Sequence, residues 1–277
     1  MQERLVEATA AGRATGYHVS LARGEDEVRE AQRLRYKVFV EELGAHLMSR
    51  IPGHDIDVYD AYCDHLIVRE SGAGRIVGTY RILAPAGARR VGGCYSENEF
   101  FLNRLQNLRD RTIEVGRSCI HQDHRSGAVI TLLWAGLAEY MVKNGCEYLI
   151  GCASIGMADG GHNAANLFTQ VGAEHMAPAE YRVLPKNRLP FERLANGQPA
   201  LVPPLIKGYL RVGAWVCGEP AWDPDFNTAD LLLLLPLSRM NPRYMRHFLK
   251  PAAAVAAWPR SGTATGRAMP PPRRCTC

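Results

Sequence analysis

The chain has 277 residues, 47% of them apolar and 22% charged, values that allow a sizeable core and exclude a wholly disordered, collagenous or disulfide-stapled protein. Its net charge of +5 comes from 33 basic and 28 acidic residues, and 28 of the basic residues are arginine. No compact basic run or RNA-binding signature accompanies that arginine, so nucleic acid is not the expected partner.

In chain order, Tyr17–Ala22 reads as a short strand. A helix is predicted from Asp26 to about Leu43, where Val28, Ala31, Leu34, Arg35, Val38 and Phe39 recur at helical spacing. A loop rich in acids and tyrosine runs from Ile51 to Asp64. His65–Glu70 and Arg75–Ala84 predict two strands joined by Ser-Gly-Ala-Gly, a hairpin signal. After a Gly-rich break, Phe100–Arg109 is expected to be helical and Thr112–Ile120 a strand. Ser126-Gly127 introduces a long apolar helix to about Asn144, which Gly145 closes. Tyr148–Ser154 is the next strand, Ala164–Val171 a short helix and Tyr181–Leu184 a strand edge. Pro203-Pro204 precedes a helix to about Val212. The five leucines of Asp230–Leu235 form a buried strand, and Met240–Leu249 a basic amphipathic helix. Residues 1–250 are expected to form a single domain, and 251–277, which lack any acid, a disordered basic tail. Strands broken by helices on a mixed sheet fit an α/β layered domain.

Eight cysteines, at 63, 94, 119, 146, 152, 217, 275 and 277, show no paired short spacing, which points to reduced thiols in a cytoplasm. Met1-Gln2-Glu3-Arg4 does not read as the start of a secretory signal. The longest apolar runs are seven residues, against roughly 20 for a transmembrane helix. Cys119, His121 and His124 supply no second ligand cluster, so no metal site is expected.

The stretch richest in chemistry runs from Ile113 to Gly127. Glu114 and Arg117 sit on a central strand where apolar residues are expected, and a buried charge is costly unless paired or functional. Arg125-Ser126-Gly127 opens a helix, whose N-terminal N–H groups suit a phosphate or the thioester arm that carries one. Together they describe a strand, loop and helix able to hold a pantetheine thioester beside a carboxylate.

This organisation resembles the GCN5-related N-acyltransferase (GNAT) fold, and more narrowly the acyl-homoserine lactone synthases. Their pattern is matched by Arg35 and Phe39, by Asp57 and Asp60, by Arg81 in Gly78-Thr79-Tyr80-Arg81, and by Glu114 with Arg117, over roughly residues 20 to 155. The synthases carry a Trp six residues after that Phe; here the position is Ala45, which argues against a nucleoside-bearing substrate such as S-adenosylmethionine. The L-ornithine Nα-acyltransferases of bacterial ornithine-lipid synthesis are a nearer resemblance. It rests on Arg33–Glu42, Pro203–Arg211, Asp223–Asp230 and Asn241–Tyr244, and reaches about residue 250.

The resemblance implies transfer of a 3-hydroxyacyl group from acyl carrier protein to the α-amine of L-ornithine, giving lyso-ornithine lipid. Glu114 is then the expected base, with Arg117 beside it. Arg35 or Arg81 is expected to hold the ornithine carboxylate, and Asp57 or Asp60 its side-chain ammonium, ahead of Asp223, Asp225 and Asp230. Phe39 joins the substrate contacts, and Arg125, Ser126 and Gly127 the thioester contacts. No resident cofactor is implied, because 4′-phosphopantetheine arrives on the carrier protein. The lipid product implies a cytoplasmic enzyme in peripheral contact with the inner membrane. The alternatives are an autoinducer synthase or a non-catalytic regulator that binds acyl carriers or lipid.

Overall fold

The computed structural model describes residues 16–47 and 49–240. Its elements are β1 (Tyr17–Leu21), α1 (Glu25–Tyr36), β2 (Asp64–Glu70), β3 (Ile76–Leu83), α2 (Pro85–Val91), β4 (Phe100–Phe101), β5 (Thr112–Ile120), α3 (Ala128–Lys143), β6 (Tyr148–Gly156), α4 (His162–His175), β7 (Leu184–Pro185), α5 (Phe191–Leu194), α6 (Pro204–Val212), β8 (Trp215–Val216), β9 (Ala221–Asp223) and β10 (Thr228–Pro236). The main sheet runs β1-β2-β3-β5-β6-β10-β8, with β9 also paired to β10. Among the described residues only the central β5–β6 strand pair is parallel; the other strand pairs are antiparallel. This is the mixed sheet flanked by helices that the sequence predicts, and it is a GNAT-like fold.

Side-chain alternation along the strands divides the core into two layers. On one side α3, α4 and α6 cover Leu66, Val68, Val77, Ile82, Ile113 and Val115. On the other, Ala31, Leu34 and Val38 from α1 and its continuation meet Ile67, Ile76 and Cys119. The apolar side chains of β10 are shared between the layers, Leu231, Leu233 and Leu235 facing one way and Leu232 and Leu234 the other. That two-sided burial explains the unbroken leucine run.

α1 begins with Glu25, Asp26 and Glu27 and ends with Arg33 and Arg35, charges that complement its dipole. Beyond Tyr36 the chain winds more loosely, as a π-turn over Lys37–Glu42, where the sequence predicts one uniform helix. Phe100 and Phe101 pair with β7, so the expected helix over Phe100–Arg109 is a short strand followed by a 3-10 run, Asn103–Arg111. α2 lies in the stretch read as a Gly-rich break. Pro85 in its first turn and the left-handed Gly92 that caps it are ordinary helix-boundary signals. Tyr181 belongs to a short turn, and the strand expected there is Leu184–Pro185. Apart from Met240, the basic segment 240–249 and the tail 251–277 lie outside the described residues. Among the described residues no helix is long and apolar enough to cross a membrane.

Candidate active site

A wedge opens in the middle of the sheet. β5 and β6 pair only over Thr112–Glu114 and Tyr148–Ile150, although each strand runs six residues further. The apex is tight, for a Cβ placed on Gly151 would lie 2.4 Å from the Val115 carbonyl oxygen. Past it the strands diverge around a cleft of about 470 Å³ that passes through the sheet. A bulge assists the divergence: Arg81 pairs with Gly116 but Thr79 with Cys119, so β5 carries one extra residue. Arg117 takes up the distortion at φ 50°, the left-handed region. On an unbroken strand, side chains three apart face opposite ways. Here Glu114 and Arg117 reach the same residue, Tyr95, on the polar side.

The two sides of the cleft differ. Val115, Leu149, Ala153, Leu205 and Leu233 make one wall apolar. Arg81, Tyr95, Glu114, Arg117, Asp223 and Asp230 make the other polar. Phe39 and Ala45 line the cleft beside them, Phe39 edge-on to Phe226 at 6.2 Å.

Glu114 is 5% exposed and lines the cleft. Its Oε2 accepts the Tyr95 N–H at 2.5 Å; its Oε1 accepts the Ser96 N–H at 2.7 Å and the Ser96 hydroxyl at 2.5 Å. A carboxylate has about four lone-pair positions, so Oε2 can take one further donor. Burial raises the Glu114 carboxyl above its ordinary value, against these bonds and the charge of Arg81. Arg117 is not its ion-pair partner. That guanidinium instead reaches Asp55 at 3.1 Å and Asp57 at 3.2 Å, packed against the rings of Tyr95 and Phe226.

The expected substrate-binding residues prove to be largely each other's partners. Arg35 is fully buried, grips both oxygens of Asp60 at 2.9 and 2.8 Å and stands 2.9 Å from Asp55. It does not line the cleft, so a substrate carboxylate has no route to its fork. Arg81 bonds Asp57 at 2.6 Å and Asp60 at 3.3 Å and lines the cleft between the rings of Tyr59 and Tyr95. Burial alone would raise the Asp57 and Asp60 carboxyls, but the arginines outweigh it and hold both below the usual carboxylate range. Three arginines thus balance three aspartates. Asp57 and Asp60 are already neutralised, and neither lines the cleft.

Uncompensated negative charge lies elsewhere. Asp223 and Asp230 are 4% and 3% exposed, and both line the cleft. Asp223 accepts the N–H groups of Asp225 and Phe226; Asp230 accepts the Thr228 hydroxyl at 2.9 Å. Burial, aided by the neighbouring acids, pushes Asp230 up to about 6 and the nearby Glu99 to about 7. Among the described residues no arginine grips either cleft carboxylate as Arg35 grips Asp60.

The start of α3 is separate from the cleft. The Arg125 guanidinium is engaged by Glu42 and by the Ile120 carbonyl, and Gly127 caps α3 in the left-handed region at φ 94°. None of Arg125, Ser126 and Gly127 lines the cleft. His121 and His124 stack edge-on at 5.6 Å, with Lys37 on the first and Tyr17 on the second. Tyr95 and Ser96, which hold Glu114, and Asp55 carry no sequence signal; their roles depend on which loop folds over β5.

Residues 34–135 match the acetyltransferase (GNAT) domain family. The chain is 36% identical over 256 residues to the L-ornithine N(alpha)-acyltransferase of Rhizobium meliloti (strain 1021), covering 86% of each chain. It is 37% identical over 254 residues to the protein of the same name from Agrobacterium fabrum (strain C58 / ATCC 33970), again covering 86% of each. Among solved structures, a CoA-dependent acyl-homoserine lactone synthase with MTA superposes with a TM-score of 0.51. It shares 17% identity over 88% of this chain and 94% of its own, a likeness of fold.

Proposed function

The chain belongs to the family of L-ornithine N(alpha)-acyltransferases, and we propose that its cleft joins a fatty acyl group to the α-amine of L-ornithine across the sheet. The observation that carries this reading is the two-sided wedge. An acyl chain lies along the apolar wall, an amino acid on the polar wall, and the thioester carbonyl at the apex between them.

Amide formation needs a neutral amine, and α-ammonium groups titrate near ~8, so a modest base suffices. In this reading Glu114 takes that proton through the remaining position on Oε2. The nitrogen attacks the thioester carbon, the C–S bond breaks, and the second proton that the nitrogen sheds as the amide forms passes, directly or through water, to the departing thiolate. The backbone edge of β6 beyond Ile150, which β5 no longer pairs, supplies donors for the developing oxyanion. Arg81 and Arg117, which line the cleft, hold the ornithine carboxylate, and Asp223 with Asp230 the side-chain ammonium, in place of Asp57 and Asp60, which do not line it. The polar wall thus carries cation and anion sites that match the two ends of a diamino acid.

The donor in this reading is an acyl carrier protein bearing 4′-phosphopantetheine. What supports it over free coenzyme A is Arg125, the cation nearest the start of α3, whose charge Glu42 already neutralises. Release of the product at the inner face of the cytoplasmic membrane belongs to the same reading; charge reversal at Arg243 and Arg246 should then weaken liposome sedimentation. The central test mixes purified protein with 3-hydroxyacyl carrier protein and ornithine and seeks the amide by mass spectrometry. Absence of amide, with a lactone formed from S-adenosylmethionine instead, would reverse the assignment.

A further inference from the structure

The apolar wall contains a polar element that the chemistry above does not use. Tyr80 on β3, Tyr209 on α6 and Ser118 on β5 all line the cleft. The Tyr80 and Tyr209 hydroxyls are 2.8 Å apart, and the Ser118 side chain is near enough to Tyr80 to favour its ionised form slightly. Tyr80 and Tyr209 are 2% and 6% exposed. Burial pushes the Tyr80 phenol up to about 12 and the Tyr209 phenol well above its ordinary value, so both keep their protons.

The donors can be counted. The Tyr80 and Tyr209 hydroxyls carry two protons and share one hydrogen bond. One O–H donor is therefore left over whichever way that bond runs. In an apolar cleft an unmet donor is costly, and a ligand oxygen placed there would be selected for. The trio is also held in place. A Cβ on Gly208 would meet the Trp134 ring at 2.3 Å, and that ring rests on Tyr209 at 5.4 Å, so α6 sits hard against α3.

Its position along the cleft fixes which part of a donor it meets. Tyr80 adjoins Arg81, the partner of Gly116, and Gly116 is two residues beyond Glu114, about 7 Å along a strand. A group within a few bonds of the thioester carbon falls there; the far end of a fatty chain does not. We propose that Tyr80, Tyr209 and Ser118 form the specificity element that reads a hydroxyl at the 3-position of the acyl donor. The inference rests on the acyl-transfer reading above and names the donor feature that the same cleft selects.

The test uses 3-hydroxydecanoyl and decanoyl carrier protein as a matched pair, with two readouts: turnover with ornithine, and calorimetric binding in its absence. The intact protein should prefer the hydroxylated donor by about tenfold or more in both. Tyr80→Phe should lower that preference, and Tyr80→Phe with Tyr209→Phe should bring it near one by slowing the hydroxylated donor alone. Ser118→Ala is a smaller perturbation at the same trio and should reduce the preference as well. Equal binding of the two donors by the intact protein overturns the proposal, whatever the turnover. So do variants that weaken both donors equally. Preferential binding with no amide formed would leave the trio standing and overturn the acceptor assignment instead.

Discussion

Asp230→Asn separates the cost of the proposed ammonium site from its use. Burial raises the Asp230 carboxyl from 3.8 to about 6. A carboxyl harder to ionise folded than unfolded opposes folding as pH rises from 3.8 to about 6, and the full penalty persists above that. The displacement corresponds to about 3 kcal/mol at pH 8, falling to roughly half at pH 5, where most of the folded protein is already protonated. Asparagine cannot ionise but still accepts the Thr228 hydroxyl. It should therefore raise the melting temperature at pH 8, by up to ~10 °C for a chain of this size, and by less at pH 5. The same variant should raise KM for ornithine tenfold or more and abolish ornithine-induced thermal stabilisation. Thermal melts at both pH values, with and without ornithine, together with steady-state kinetics, read all four quantities. A gain in stability of equal size at both pH values, or an unchanged KM, would refute the reasoning.

Three further perturbations probe the remaining parts. Glu114→Gln keeps the shape but loses the base, so kcat should fall at least a hundredfold with the circular dichroism spectrum unchanged; undiminished turnover removes Glu114 from the mechanism. Arg35→Met strands the buried Asp55 and Asp60 carboxylates and should cost about 3–5 kcal/mol in urea unfolding, whereas a loss below about 1 kcal/mol would show that the network is not a brace. Gly151→Ala drives a methyl group toward the Val115 carbonyl oxygen, 2.4 Å away, and should cost about 1–3 kcal/mol and lower activity as the apex is forced apart; a neutral effect on both would mean that the apex position is not critical.

The legible part of the sequence was the part set by local rules. Alternation and helical spacing located β1, β2, β3, β5, β6, β10, α1, α3 and α6 to within about two residues, apart from the looser winding that ends α1. β8 and β9 escaped because two or three residues show too little alternation to read as strands, and α2 because its seven residues make only about two turns. The Arg35, Asp57, Asp60, Arg81, Glu114 and Arg117 pattern does mark residues that fold together, but pattern cannot say which charges cancel. Asp55, which bridges Arg35 and Arg117, helps to turn the candidate substrate ligand Arg35 into scaffold. Asp223 and Asp230 ranked second in sequence because nothing local shows that no arginine would grip them.

The bulge at Arg117 explains why the site resisted reading along the strand. With strict alternation, Arg117 would share the apolar wall with Val115, and a cation there would be buried without partners. One inserted residue sends Arg117 to the polar side instead, between Asp55, Asp57 and the Tyr95 ring, and returns Ser118 to the apolar side within reach of Tyr80. β5 and β6 part after Glu114, just before the insertion, so the distortion that sorts the side chains also stands where the cleft opens. Removing it would give a better-paired sheet, with the cation on the wrong side and less room at the apex. Strain held at one residue in the left-handed region, of the order of 1–2 kcal/mol, is thus coupled to the existence of two unlike walls.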